Sequence, residues 1–128
     1  MRILLDTHAL LWWLAGDSRL SRRARTAIAN ESDPVFVSAA SAWEVSTKHR
    51  IGKLPEPGPL ATDFAAAIAA QGFTPLDITI DHAQRAGGLP GPHADPFDRM
   101  LIAQAQAANL ALVSNETIFD NYGVTRIW

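Results

Sequence analysis

The sequence predicts an α/β fold with a short, mainly parallel central sheet. Three observations carry that prediction. Short continuous apolar runs recur along the chain: Ile3-Leu4-Leu5, Val35-Phe36-Val37 and Leu110-Ala111-Leu112-Val113. Runs of this kind suit strands buried on both faces. Stretches with helical apolar spacing lie between them, and Gly, Pro, Asp and Ser punctuate the joins. Alternation of this sort argues for a parallel sheet covered by helices on both sides.

Residues 1–5 read as the first strand. A helix carrying Leu10, Leu11 and Leu14 follows, and Gly16-Asp17-Ser18 breaks it. Residues 21–30 read as a second helix, Asp33-Pro34 as a turn and residues 35–37 as a second strand. Ser38 is placed to cap the next helix, which runs towards Ile51 and stops at Gly52. Residues 55–59 form a proline-rich loop. Residues 60–71 are Ala-rich and read as one helix ended by Gly72. Residues 73–76 read as a strand, 80–86 as a short helix and 87–92 as a loop. Residues 96–109 read as a helix, 110–113 as a strand and 124–128 as a last short strand.

The chain has 128 residues, 48% hydrophobic and 19% charged, and reads as one globular domain over 1–128. No apolar run approaches the roughly 20 residues of a membrane span. The first residues lack the pattern of a signal peptide, so a cytoplasmic location is the simplest expectation. There are no cysteines, which excludes disulfide and thiolate chemistry. The net charge of −2 gives no global basic footprint for nucleic acid. Local basic clusters do exist: Arg19, Arg22, Arg23 and Arg25, then Lys48, His49, Arg50 and Lys53. Surface charge on a solvated helix face is the simpler explanation of each.

Four acids stand at the edges of apolar elements: Asp6, Glu44, Asp98 and Glu116. In open α/β sheets, ligands bind beyond the carboxyl ends of the strands, where Asp6 and Glu116 fall. Each acid also has a structural reading. Asp6 suits a helix N-cap. Glu44 completes a Ser41-x-x-Glu capping-box pattern and can pair with Lys48 one turn on. In Asp95-Pro-Phe-Asp98, Asp95 fits the N-cap, Pro96 the first helical position and Asp98 the first turn. Glu116 sits in an ordinary turn, with Asp120 as a nearby substitute. His8 and His93 lack a histidine partner at zinc-ligand spacing and read as packing or hydrogen-bonding residues. Trp12, Trp13 and Trp43 read as core or subunit-contact residues, with base stacking as the other option. If the four acids converge, they make a site for a hard divalent cation and for phosphoryl chemistry.

The motifs resemble those of the PIN-domain family, and within it the VapC-type toxin ribonucleases of type II toxin–antitoxin systems. The matching stretches are Leu4-Leu-Asp-Thr-His-Ala-Leu-Leu-Trp-Trp, Ser38-Ala-Ala-Ser-Ala-Trp-Glu-Val, His93-Ala-Asp-Pro-Phe-Asp-Arg-Met-Leu-Ile-Ala-Gln-Ala, Leu112-Val-Ser-Asn-Glu and the ending Tyr122-Gly-Val-Thr-Arg-Ile-Trp. The resemblance covers nearly the whole chain, and it implies an α/β/α sandwich and a Mg²⁺- or Mn²⁺-dependent endoribonuclease. Asp6, Glu44 and Asp98 fall on the family's acids, and Glu116 on a fourth that is usually Asp. Asp6 and Asp98 are the implied metal ligands, with Glu44 and Glu116 acting through water. Thr7, Ser41, Asp95 and Ser114 are supporting residues. Glu at 116 adds about 1.5 Å of reach over Asp. The resemblance also implies a cognate antitoxin and a homodimer.

Two other functions fit parts of the pattern. The acidic pocket of a catalytically weak or inactive module would bind RNA or an antitoxin peptide. A phosphatase using Asp6 as nucleophile would need a second acid two residues on, where His8 stands.

Overall fold

A computed structural model describes residues 1–30, 32–54 and 56–128. Five strands form one sheet: β1 (Ile3–Leu5), β2 (Val35–Ser38), β3 (Thr74–Leu76), β4 (Ala111–Val113) and β5 (Arg126–Ile127). Their order is β3-β2-β1-β4-β5, and every pairing is parallel. Six α-helices cover it: α1 (Thr7–Ala15), α2 (Arg22–Ala29), α3 (Ala39–Arg50), α4 (Phe64–Ala70), α5 (Ile80–Gly88) and α6 (Pro96–Ala108). Two 3₁₀ turns, Gly58–Ala61 and Thr117–Tyr122, complete the described elements.

Strand periodicity divides the core in two. Ile3, Leu5, Val35, Val37, Ala111 and Val113 point to one face, where they meet Leu10, Ala24, Ile28, Val45, Leu60 and Ile68. Leu4 and Leu112 point to the other face and meet Leu101, Ile102, Ala105 and Phe119. Alternate residues of one strand thus feed two apolar layers, which is the expected three-layer α/β/α sandwich. Leu4 and Leu112 are fully buried. Truncating either to Ala costs about 2–5 kcal/mol.

The helix boundaries follow from side-chain caps. Asp6, Ser21, Ser38 and Asp95 each accept hydrogen bonds from the first amides of α1, α2, α3 and α6. Pro96 opens α6 where its missing N–H costs nothing.

Three details differ from the sequence reading. The Ala-rich stretch 60–71 is not one helix: it divides into a 3₁₀ turn and α4, because the Asp63 side chain caps Ala66 and starts a new helix there. The segment 117–122 is a 3₁₀ turn that buries Phe119, which sequence periodicity does not reveal. The first and last strands are shorter than predicted, at Ile3–Leu5 and Arg126–Ile127. In the proline-rich loop 55–59, Pro55 lies outside the described residues. Among the described residues, no helix is long and apolar enough to cross a membrane.

The strand order matters for function. From β1 the chain winds outward through β2 to β3, then returns to the other side of β1 for β4. The direction of winding reverses between β1 and β4, and the carboxyl ends of those two strands border the crevice where α/β sheets bind ligands.

Candidate active site

Asp6 follows β1 directly, and its backbone N–H donates to the Val113 carbonyl at 3.1 Å. That bond fastens the start of α1 to the end of β4. The Asp6 carboxylate accepts from the Ala9 N–H at 2.7 Å and is almost fully buried. It is the N-cap of α1, as its position predicts, and it also faces the crevice. Burial pushes its pKa from 3.8 up to about 6, against the lowering effect of the Ser114 hydroxyl and the Ala9 amide. The charges of Glu116 and Glu44 push it further in the same direction.

Glu44 comes from α3, which starts at the end of β2. The capping-box reading of Ser41 and Glu44 does not hold. Ser38 is the N-cap of α3, with its Oγ 3.0 Å from the Ala40 amide, so Ser41 lies inside the helix. Ser41 and Glu44 instead turn inward to Thr7. The Thr7 hydroxyl donates to Glu44 Oε1 at 2.6 Å and lies 3.0 Å from Ser41 Oγ. Lys48 Nζ donates to the other carboxylate oxygen of Glu44, the predicted helix pair. Only 7% of the Glu44 side chain is exposed, so the pair is no surface decoration.

Asp98 projects from the first turn of α6. Asp95 caps that helix through the Phe97 and Asp98 amides, at 2.9 and 3.1 Å. Asp98 Oδ2 lies 2.8 Å from His93 Nε2. Burial raises the Asp98 pKa to about 6; the His93 bond opposes this, and the charges of Asp95, Glu116 and Glu44 add to it.

Glu116 is the most open of the four acids, with 39% of its side chain exposed. Its backbone N–H donates to Ser114 Oγ at 3.0 Å. His8, its ring tilted against Trp12, holds Nδ1 4.0 Å from Glu116. Asp120 does not replace it: Arg126 binds Asp120 at 2.9 Å and lowers its pKa.

The four predicted acids lie within reach of one another's charge. Glu44 and Glu116 both raise the pKa of Asp6 and of Asp98, across elements drawn from the whole chain. Lys48 is the cation set among them. Burial works against its charge, but its bond to Glu44 and the charges of Glu44, Asp95 and Asp98 outweigh burial and raise its pKa.

The donor set is made of carboxylate oxygens, which suits a hard divalent cation such as Mg²⁺ or Mn²⁺. Two of the acids are raised to about 6 by burial and mutual repulsion, the state that a bound cation relieves. Among the described residues, no three His, Asp or Glu side chains stand together as a ready-made ligand cluster. Each acid is turned to a protein group instead: Asp6 to Ala9, Glu44 to Thr7 and Lys48, Asp98 to His93, and Glu116 towards His8. The carboxylates match a hard divalent cation in donor chemistry, while their rotamers serve these protein partners.

Two further residues brace the site. Arg99 donates to the carbonyls of Ala86 at 3.1 Å, His93 at 2.9 Å and Leu89. One guanidinium thus ties down the loop that carries His93. The fully buried Gln104 accepts from the Ser38 hydroxyl at 2.5 Å and donates to the Asp77 carbonyl at 3.3 Å. Its signal in the sequence is a polar residue inside the apolar run Leu101 to Ala105. Arg99 gives no such signal, because its partners are backbone carbonyls. Of the tryptophans, Trp12 and Trp13 pack on the core as expected. Trp43 does not: it is 59% exposed and meets the edge of the Phe97 pair at a 4.8 Å ring separation.

Comparison with known proteins agrees with this architecture. Ribonuclease VapC16 of Mycobacterium tuberculosis (strain ATCC 25618 / H37Rv) is 36% identical over 76 residues, 56% of this chain and 52% of that protein. The match thus spans about half the length of that relative. Ribonuclease VapC22 of the same organism is 28% identical over 117 residues, 89% of this chain and 86% of that protein. Among solved structures, Mycobacterium tuberculosis VapC20, described as a sarcin–ricin loop cleaving toxin, superposes with a TM-score of 0.70. That match has 18% identity and covers 96% of both chains, and at this identity the likeness is one of fold. The family model for the PIN domain matches residues 3–124, and the chain belongs to the PIN domain family.

Proposed function

We propose that this chain is a divalent-metal-dependent endoribonuclease and the toxin half of a toxin–antitoxin pair. The reading is supported by Asp6 at the end of β1 and Glu116 past the end of β4, with Glu44 and Asp98 close enough for charge to be felt among all four. The ribonuclease names of its relatives supply the choice of RNA. Asp6 and Asp98 would hold Mg²⁺ or Mn²⁺, with Glu44 and Glu116 engaged through water. The cation supplies a lowered pKa for water and polarisation of the scissile phosphate.

The protein's own groups do the rest. The Asp95 cap and Pro96 fix the start of α6, so Asp98 is presented from a rigid turn. Thr7 and Lys48 hold the Glu44 carboxylate against both of its oxygens. Ser114 supports Asp6 with its hydroxyl and orients the Glu116 backbone. Glu116, open to solvent, orients water on the substrate side. Water attacks phosphorus in line and the 3′-oxygen leaves, giving a 5′-phosphate and a 3′-hydroxyl. No side chain becomes covalently attached, and the 2′-hydroxyl takes no part.

A cognate antitoxin and a homodimeric state belong to the same reading, as does a cytoplasmic site of action. The test is incubation of mixed cellular RNA with the protein in Mn²⁺ or in chelator. Cleavage in Mn²⁺ alone, lost in Asp6→Asn and Asp98→Asn variants with unchanged circular dichroism, is expected. RNA binding with no cleavage under any divalent ion would favour the inactive binding module.

A further inference from the structure

Trp43 is the one tryptophan not packed on the core, and its placement is specific. It immediately precedes Glu44 on α3, and its ring partner Phe97 immediately precedes Asp98 on α6. The two aromatics thus bridge the helices that supply two of the four acids. The interplanar angle is 75°, so the contact is edge to face and covers at most one face of the indole. Phe97 cannot drift, because Asp95 accepts from its backbone N–H at 2.9 Å in the first turn of α6. The result is a flat, open, oriented ring beside an acidic crevice. The same helix ends in Lys48, His49 and Arg50. A chain with net charge −2 thus sets cations near this ring.

We propose that Trp43 is a base-stacking platform that seats an unpaired nucleobase of the RNA next to the scissile phosphate. The inference rests on reading the acids as an RNA site and adds a specificity-determining contact to it. Stacking on an exposed indole suits single-stranded RNA, whose bases offer free π-faces. Arg50, exposed further along α3, meets the backbone phosphate that flanks the seated base. The main competing occupant is a second copy of this chain. Against it, the exposed residues beside Trp43 on α3 are Ala39, Ser46 and Arg50. These are small, polar or charged, whereas the core of a stable dimer interface needs a contiguous apolar patch.

The test uses Asp6→Asn protein, so that RNA is not consumed, titrated with ten-residue oligouridine and oligoadenosine while tryptophan emission is followed. Saturable quenching is expected. Adding Trp43→Ala should weaken binding about 5- to 100-fold, the scale of one lost base–aromatic stack. Trp43→Phe, which keeps a ring against Phe97, should bind with intermediate affinity and lose most of the quenching. Equal affinities for all three proteins would overturn the proposal. So would a Trp43→Ala variant that turns from dimer to monomer by light scattering while binding RNA unchanged. Should wild-type protein show no Mn²⁺-dependent cleavage while the Trp43-dependent quenching persists, the catalytic reading fails and the stacking site stands.

Discussion

The two ends of the central sheet contrast sharply. At the carboxyl end, α1 and α3 begin within a residue or two of β1 and β2, so first-turn amides and positive helix ends face the crevice. At the amino end, α6 terminates: Asn109 takes a left-handed conformation (φ 54°) and leads into β4. That end has its own cavity of about 370 Å³, lined by Met1, Ala105, Gln106, Asn109, Leu110 and Val124 among others. Its lining carries no carboxylate or imidazole. The cavity at the amino end lacks chemistry, while the carboxyl end gathers four acids. Helix polarity accounts for part of the difference, since negative charge is stabilised where helices start. The winding reversal between β1 and β4 accounts for the rest by opening the crevice there.

Breaking the comparison at the carboxyl end should have the largest effect. Asp6→Asn and Asp98→Asn are each expected to lower RNA cleavage by at least ~10²-fold, the scale of a lost electrostatic contact in a transition state. Both should remain folded by circular dichroism, because Asn also caps helices at position 6 and Asp95, not Asp98, caps α6. Full activity in both would leave the two ends chemically equal.

Next in size is the Arg99 brace. Arg99→Ala and His93→Ala should each cost about 10–100-fold in kcat, as residues that orient a metal ligand do. The two losses should not add, because Arg99 acts on Asp98 through His93. Additive losses in a double-mutant cycle would show that Arg99 stabilises the loop for some other purpose.

The pH dependence separates the two ends in stability rather than rate. Asp6 and Asp98 have pKa values near 6 when folded and 3.8 as the ordinary value. The folded state binds their protons more tightly. Their stabilisation is therefore complete below pH 4 and is lost as pH rises through about 6. Metal-free protein should show a falling Tm between pH 4 and 7. Asp6→Asn should flatten that slope and stabilise the metal-free protein at pH 7.5 by about 1–3 kcal/mol. Cleavage should move the other way and weaken as pH falls, because protons then compete with the cation for the acids. A Tm indifferent to pH in wild type and variant alike would contradict the burial argument.

The smallest catalytic effect belongs to the amino end. Asn109→Ala removes the short polar side chain that makes Asn tolerant of positive φ and should cost about 1 kcal/mol of stability. Cleavage per folded molecule should be unchanged. A selective loss of activity would mean that the amino-end cavity takes part in function.

Much of this was legible in the sequence, for identifiable reasons. The buried strands announced themselves as apolar runs, and Asp95-Pro96 marked the start of α6 because capping is local. The position of Asp6 at a strand end was legible for the same reason. The order of strands was not, since parallel pairing is decided by contacts across the whole chain. Glu44 shows the cost of local reasoning. Its spacing from Ser41 imitates a capping box, yet Ser38 already caps α3 and both residues serve Thr7 instead. Trp43 also escaped, because aromatic composition says nothing about which helix face is covered. Arg99 was invisible as a site residue because its partners are backbone carbonyls, and Gln104 showed only as a polar residue in an apolar run, its partner Ser38 lying far away in sequence.

Mn²⁺ binding by wild-type and Asp98→Asn protein at pH 7.5, followed by electron paramagnetic resonance, tests the central claim most directly. Wild type should remove free Mn²⁺ from solution in saturable fashion, and Asp98→Asn should leave it free. Identical titration curves for the two proteins would show that the acids at the carboxyl end of the sheet gather for some reason other than a cation.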